Sequence, residues 1–207
     1  MTMAPPTPPI QRIVLLRHGA TLAGDGVLIG RTDPRLSAQG EQQIAAAWAR
    51  LGDMPFLTFA SSPRQRCADS ARHLAAQSQH PCQLIPALAE IDFGAWEGES
   101  VASLAARDPQ AWQAWRSAPA GQCPPGGEAF DAFSHRVTEA FTAWRHTLSA
   151  GRHLLLTHGG VIRTLLAHAF NLPWPMVRHI ALPHGAWVEL SFYGDAPPYW
   201  LSLGAPP

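Results

Sequence analysis

Two segments of this chain share one plan, and that plan constrains the fold more than any other feature. Ile13-Val14-Leu15-Leu16-Arg17-His18-Gly19 and His153-Leu154-Leu155-Leu156-Thr157-His158-Gly159-Gly160 each run from an apolar stretch to a histidine and then to glycine. A short continuous apolar run bounded by a turn residue is the pattern of a strand covered on both faces, as in a parallel sheet. The glycine lets the backbone turn sharply at the strand's end. Ligands of open α/β sheets bind beyond the carboxyl ends of the strands, so two such histidines in one sheet come close at the same rim. Arg17 is suited to hold an anion there, and His18 is suited to act as nucleophile or base.

The intervening sequence supplies the helices that an α/β fold needs. Ser37 caps a helix running to about Leu51, with Ile44, Trp48 and Leu51 on one face. Residues 56–60 form a second short apolar run, followed at once by Ser61-Ser62-Pro63-Arg64-Gln65-Arg66. Ser62 with Gln65 reads as a capping box, with Pro63 at the first helical position. Arg64 and Arg66 then fall in a first turn where the helix dipole disfavours cations by ~0.3–1 kcal/mol each, as expected of solvated surface groups or of an anion site. Residues 83–85 are a third strand, and 101–118 are helical with a break at Asp108-Pro109. Residues 118–127 are a Pro/Gly-rich loop. Phe130, Phe133, Val137, Phe141, Trp144 and Leu148 mark an amphipathic helix. After the second histidine comes a helix over 161–170, then a last strand over 186–192, read as an edge. The tail beyond it reads as loose.

Composition excludes several function classes. The 207 residues include fifteen basic and fifteen acidic side chains, and only 14% of residues are charged. That balance gives no support for nucleic acid as a partner or for a basic membrane-facing surface. No apolar run approaches the ~20 residues that span a bilayer. Three scattered cysteines, Cys67, Cys82 and Cys123, make no disulfide framework and fit a reducing cytoplasm. None of the ten histidines shows an HxH or HExxH spacing, so neither a metal nor any other cofactor is expected. Residues 1–11 are proline-rich and read as a disordered tail, and 12–203 as one domain.

Four features converge on a chemistry: Arg17-His18-Gly19, Ser61-Ser62-Pro63 with Arg66, Glu90, and Thr157-His158-Gly159-Gly160. Two arginines, two histidines and a helix N-terminus make a pocket for a phosphoryl group. One histidine attacks phosphorus in line, and the other groups stabilise charge on the equatorial oxygens. Glu90 stands among bulky apolar residues, which raises a carboxyl's pKa toward the range of a general acid.

With these motifs assembled, the chain resembles the histidine phosphatase superfamily, which includes the cofactor-dependent phosphoglycerate mutases. The resemblance covers residues 12–193. It rests on Leu16-Arg17-His18-Gly19, Leu36-Ser37-Ala38-Gln39-Gly40, Ser61-Ser62-Pro63-Arg64-Gln65-Arg66, residues 90–98, and Thr157-His158-Gly159-Gly160-Val161-Ile162-Arg163. It implies a phosphoglycerate mutase-like three-layer α/β/α fold with a mostly parallel central sheet. It also implies His18 as the phosphorylated nucleophile, with Arg17, Arg66 and His158 as the phosphate pocket. Glu90 becomes the proton donor, and Gly30, Gly159 and Thr21 become substrate contacts. Ala20 and Gly24 depart from the family pattern, which places a glutamate and an asparagine there. Trp112-x-x-Trp115 and the run from Pro125 to Val137 are most similar to the alpha-ribazole phosphatases.

The implied activity is hydrolysis of a small-molecule phosphate monoester such as alpha-ribazole 5′-phosphate. Phosphoglycerate mutase-type transfer is the alternative. It demands long covering segments that exclude water, whereas here only 97–127 is available as a cap. A phospho-ligand-binding protein without turnover is the second alternative. Trp112 and Trp115 are core residues by their helical spacing, with stacking on a substrate base as the sharper reading. Arg163 and His184 are within reach of the pocket, with rim contacts and loop surface as their plainer readings. A homodimer is one assembly open to the chain.

Overall fold

The computed structural model describes residues 10–206. The expected N-terminal tail lies outside the described residues over 1–9, whereas Ile10 and Gln11 already belong to the first strand, β1 (Ile10–Arg17). Ile13, Val14, Leu15 and Leu16 of that strand are fully buried. At ~1.5–3 kcal/mol for each such side chain, this strand is a principal source of the core's stability.

β1 is the hinge of the topology. It pairs in parallel with β4 (Gly151–Thr157) on one side and antiparallel with β5 (Trp187–Tyr193) on the other. Beyond β4 lie β2 (Thr58–Ser61) and β3 (Cys82–Leu84), both parallel. Beyond β5 lies β6 (Tyr199–Gly204), antiparallel. Among the described residues the strand order is β3-β2-β4-β1-β5-β6, a mostly parallel sheet of the expected class.

Helices cover both faces, which explains why the inner strands read as continuous apolar runs. On one face, α1 (Ala38–Arg50) and α2 (Gln65–Gln77) bring Ile44, Ala47, Ala71 and Leu74 against Val14, Leu16, Leu154 and Leu156. On the other, α5 (Phe130–His146) and α6 (Gly159–Phe170) bring Phe133, Val137 and Ile162 against Ile13, Leu15 and Leu155. The helical stripe of α5 is thus core packing, as its spacing implied. Two short helices, α3 (Val101–Arg107) and α4 (Pro109–Ser117), meet at the Asp108-Pro109 break, and α7 (Trp174–Val177) follows α6. Among the described residues no helix is long and apolar enough to cross a membrane.

Three local expectations are corrected. Residues 186–192 are not an edge: β5 is flanked by β1 and β6, and β6 arises within the stretch read as a loose tail. Pro197 and Pro198 mask that last strand in the sequence, because proline signals a turn rather than the start of a pairing partner. The second strand lies at Thr58–Ser61 rather than 56–60, and Phe56 instead stacks on Trp48 of α1. Finally, α2 starts at Gln65, two positions later than a capping box on Ser62 requires. The cap comes from a distant loop instead: Asp33 Oδ2 accepts from Gln65 N at 2.8 Å, and the Gln65 side chain donates back to the Asp33 carbonyl.

Candidate active site

Strand register brings the two histidines together. Arg17 stands opposite Thr157 across the β1–β4 ladder, so His18 and His158 are the next residues out, and His18 N donates to Thr157 O at 2.9 Å. Their rings meet edge to face with centroids 5.3 Å apart. The chain can turn after His18 because Gly19 packs directly on Gly40 of α1. A Cβ at position 19 would stand 2.1 Å from the Gly40 carbonyl oxygen. His18 Nδ1 lies 2.8 Å from the Gly19 carbonyl, so this nitrogen carries the proton and Nε2 keeps its lone pair. Burial, then the charges of Arg17 and Arg66, push His18 well below its ordinary value. Burial, with Arg66 next, does the same to His158. Both imidazoles are therefore neutral.

Ser62 is the residue whose role the sequence concealed. Its hydroxyl sits 2.7 Å from His158 Nε2, while also accepting from Arg64 N at 3.3 Å. The Ser-Ser-Pro motif that looked like a helix cap is thus the partner of the second histidine.

The two arginines occupy different positions. Arg17 lies on the wall of a half-open cavity of about 220 Å³. Its Nη1 donates to the Leu182 carbonyl and its Nη2 lies 3.0 Å from His184 Nε2. Among the described residues its Nε has no partner, and it stands beside Gly159 at the start of α6. Burial, then Arg163, lowers the Arg17 guanidinium to about 10, still charged at neutral pH. Arg66 is fully buried and does not line this cavity. Its Nη groups donate to the carbonyls of Ile29, Gly30 and Thr32 and approach Asp33 Oδ1 at 3.4 Å. It supports the loop and acts on the histidines by its charge.

Glu90 faces Arg17 across the cavity. Its Oε2 accepts from Gly160 N at 2.9 Å and its Oε1 from Ile91 N at 3.2 Å. Burial raises its pKa above the ordinary carboxylate range, against the pull of those two N–H groups and of Arg66 and Arg17. The stretch carrying it is held from behind by α5. Arg136 donates to the carbonyls of Ala87, Ala89 and Glu90 while pairing with Glu128 at 2.6 Å. The run from Pro125 to Val137 therefore has a structural meaning: its Glu128 and Arg136 brace the Glu90 loop.

The remaining expected contacts divide. Gly159 lines the cavity at the first position of α6, where its N–H has no intrahelical acceptor. Gly30 and Thr21 do not line it. The N–H of Gly30 donates to the Glu97 carboxylate, and its carbonyl accepts from Arg66, so both backbone groups are engaged. Thr21 is buried, with its Oγ1 accepting from Ala23 N at 3.4 Å. Of the two departures from the family pattern, Ala20 N donates to Gln43 Oε1, and Gly24 turns at φ +86° on the cavity wall. Arg163 and His184, expected within reach of the pocket, both line the cavity.

The front of the cavity is aliphatic, formed by Val27, Leu28, Ile29 and Val101 with Phe93. Val27 bridges to Ser100, and Leu28 N donates to Glu99 O, so this wall is zipped to the segment expected as a cap. Glu97 knots the same loop by accepting from Arg31 N, Thr32 N, Thr32 Oγ1 and Phe93 N. Burial alone would raise its pKa, but these donors outweigh burial and lower it. Trp112 and Trp115, both half-buried, pack edge to face on Trp96, and Trp115 also packs on Phe93, Phe130 and the core beneath.

Similarity to known proteins points the same way. The sequence profile described as histidine phosphatase superfamily (branch 1) matches residues 13–201. The chain is 33% identical to the adenosylcobalamin/alpha-ribazole phosphatase of Escherichia coli (strain K12) over 181 residues, covering 85% of this chain and 87% of that one. It is 32% identical to the glucosyl-3-phosphoglycerate phosphatase of Mycobacterium tuberculosis (strain ATCC 25618 / H37Rv) over 193 residues, covering 87% and 85%. The solved alpha-ribazole phosphatase from Shigella flexneri superposes with a TM-score of 0.81 at 28% identity, covering 94% and 96%.

Proposed function

Given that the chain belongs to the histidine phosphatase superfamily (branch 1), and is a phosphatase within it, we propose that it hydrolyses small phosphate monoesters through a phosphohistidine on His18. The observation that carries this reading is the hydrogen bond from His18 Nδ1 to the Gly19 carbonyl, which leaves Nε2 as a fixed, uncharged nucleophile.

The steps follow from the groups around it. His18 Nε2 forms the N–P bond as the P–O bond to the leaving group breaks. Arg17 Nε and the Gly159 N–H meet the equatorial oxygens, while His158, fully buried against the His18 ring, and Arg66 stand behind them. Protonated Glu90 gives its proton to the departing oxygen. The resulting carboxylate then takes a proton from water, whose oxygen attacks phosphorus and breaks the N–P bond. Phosphate leaves, and Glu90 is protonated again. Ser62 holds His158 in its orientation throughout.

For the substrate, the aliphatic wall over 27–29 with Val101 and Phe93 favours a monoester that carries an apolar ring system. Alpha-ribazole 5′-phosphate, whose benzimidazole is joined to the phosphate through a ribose, has that character, and 97–127 is the cap segment that shapes this wall. Two experiments test the reading. Rapid quench with a 32P-labelled monoester in EDTA traps an acid-labile phosphoenzyme in the wild type and none in His18→Ala; labelling that persists in the variant overturns the choice of nucleophile. A kcat/KM panel of alpha-ribazole 5′-phosphate, glucosyl-3-phosphoglycerate and 3-phosphoglycerate ranks the first highest; a preference for either other compound, or transfer to a second acceptor instead of water, overturns the substrate assignment.

A further inference from the structure

Two polar side chains of the cavity, Arg163 and His184, have no part in those steps, and His184 is the one that touches Arg17. His184 stands in the turn before β5, where Gly185 N donates to the His18 carbonyl and Ala186 O accepts from Arg17 N. This turn wraps Arg17: Leu182 offers a carbonyl to Nη1, and the His184 ring offers Nε2 to Nη2 at 3.0 Å. A guanidinium only donates, so Nε2 must be the acceptor and Nδ1 must carry the proton. Nδ1 in turn faces the Asp25 carboxylate at 3.7 Å, on the loop whose next residues form the cavity wall. The ring is 18% exposed and lies 5.5 Å from the His18 ring. Burial, then Arg17, lowers His184 to about 4, so the acceptor persists over the ordinary pH range.

We propose that His184 is a positioning residue: it accepts from Arg17 through Nε2 and faces Asp25 through Nδ1–H, fixing the arm that meets the phosphoryl group. The consequence is geometric. With Nη1 and Nη2 both tied to the 182–186 turn, Arg17 is left to present Nε beside Gly159, whose N–H at the start of α6 has no intrahelical acceptor. Without His184 the guanidinium keeps its charge but loses one of the two bonds that define its plane. Phosphate binding should then suffer more than the chemical step on bound substrate.

This inference rests on Arg17 being a phosphate arm, and its test needs no turnover. Glutamine at position 184 reaches Arg17 with Oε1, where the imidazole has Nε2; asparagine reaches only the position of Nδ1. Inorganic phosphate affinity by calorimetry, and KM against kcat for p-nitrophenyl phosphate, are measured for wild type, His184→Gln and His184→Asn. The glutamine variant should bind phosphate within threefold of wild type. The asparagine variant should bind about tenfold more weakly, with KM raised by a similar factor and kcat less affected. Equal behaviour of the two variants, whether both intact or both impaired, overturns the proposal. Should either variant fail to fold, 15N spectra of the wild-type histidines decide alone: protonation of His184 on Nδ1 supports the proposal, and protonation on Nε2 overturns it. A wild type that binds phosphate but does not hydrolyse esters would sink the proposed function while leaving this inference standing.

Discussion

Glu90, the proposed acid, shows what burying a carboxyl costs the fold that carries it. Its carboxyl is buried between Gly160 and Ile91, and its pKa is raised above 4.5 in the native state. Between 4.5 and that raised value the native protein holds a proton that the unfolded chain releases. Stability therefore falls as pH rises through this window and stays lower above it. Glu90→Gln has no such titration, so its stability relative to wild type should grow from pH 4.5 upward, as urea unfolding across pH would register. In the proposed reaction the same proton governs activity. For alkyl phosphates, kcat should fall on the alkaline side as Glu90 ionises, and this limb should vanish for p-nitrophenyl phosphate, whose leaving group needs little protonation. A limb equally steep for both substrates would mean that another group titrates. His18→Ala should lose roughly 10⁴-fold or more in kcat. Residues of this kind were legible in the sequence because two arginines, two histidines and an acid recur at strand ends and turns. The roles of Ser62 and His184 were not, since a serine before proline also reads as a cap and a histidine in a Pro-Gly turn also reads as surface.

At the scale of elements, the site is built from loops that borrow their partners from far along the chain. The N-terminus of α2 is capped by Asp33 rather than by its own Ser62, and Asp33 also approaches Arg66. Asp33→Ala should cost ~1 kcal/mol or somewhat more in urea unfolding. A loss no greater than that of an exposed loop substitution would show the cap to be unimportant. Arg136 plays the corresponding part for the Glu90 loop. Replacing it with methionine removes the guanidinium from over the Phe133 ring and leaves three carbonyls without their donor. The expected result is a fall in kcat that is larger for poor leaving groups than for p-nitrophenyl phosphate. Apolar periodicity revealed the strands and α5 because their faces are covered by neighbours already visible in the sequence. Long-range caps and braces leave no periodic mark, and neither does β6, whose pairing partner precedes it across a turn rich in proline.

At the scale of the whole molecule, β1 joins a parallel half of the sheet to an antiparallel half, and one buried ion pair spans the junction. Arg152 of β4 reaches Glu189 of β5 over the intervening strand, with Nη2 to Oε2 at 3.0 Å, and also donates to the Leu51 carbonyl. Arg152→Met strands a buried carboxylate and should cost ~3–5 kcal/mol, whereas adding Glu189→Leu should recover most of that loss. Calorimetric melting of both variants checks the pair, and equal melting temperatures would argue against coupling across β1. The parallel half of the sheet and its covering layers were readable from the alternation of apolar runs with helical stripes; this cross-strand pair was not, because only the register makes the two residues neighbours. That register has a further consequence for how the gene tolerates change. Substitutions inside β1 or β4 alter packing but leave the imidazoles facing each other. Deleting one codon from either strand would keep the apolar composition nearly intact, yet send its terminal histidine to the opposite face of the sheet. Length, more than side-chain identity, is what these two strands cannot afford to drift in.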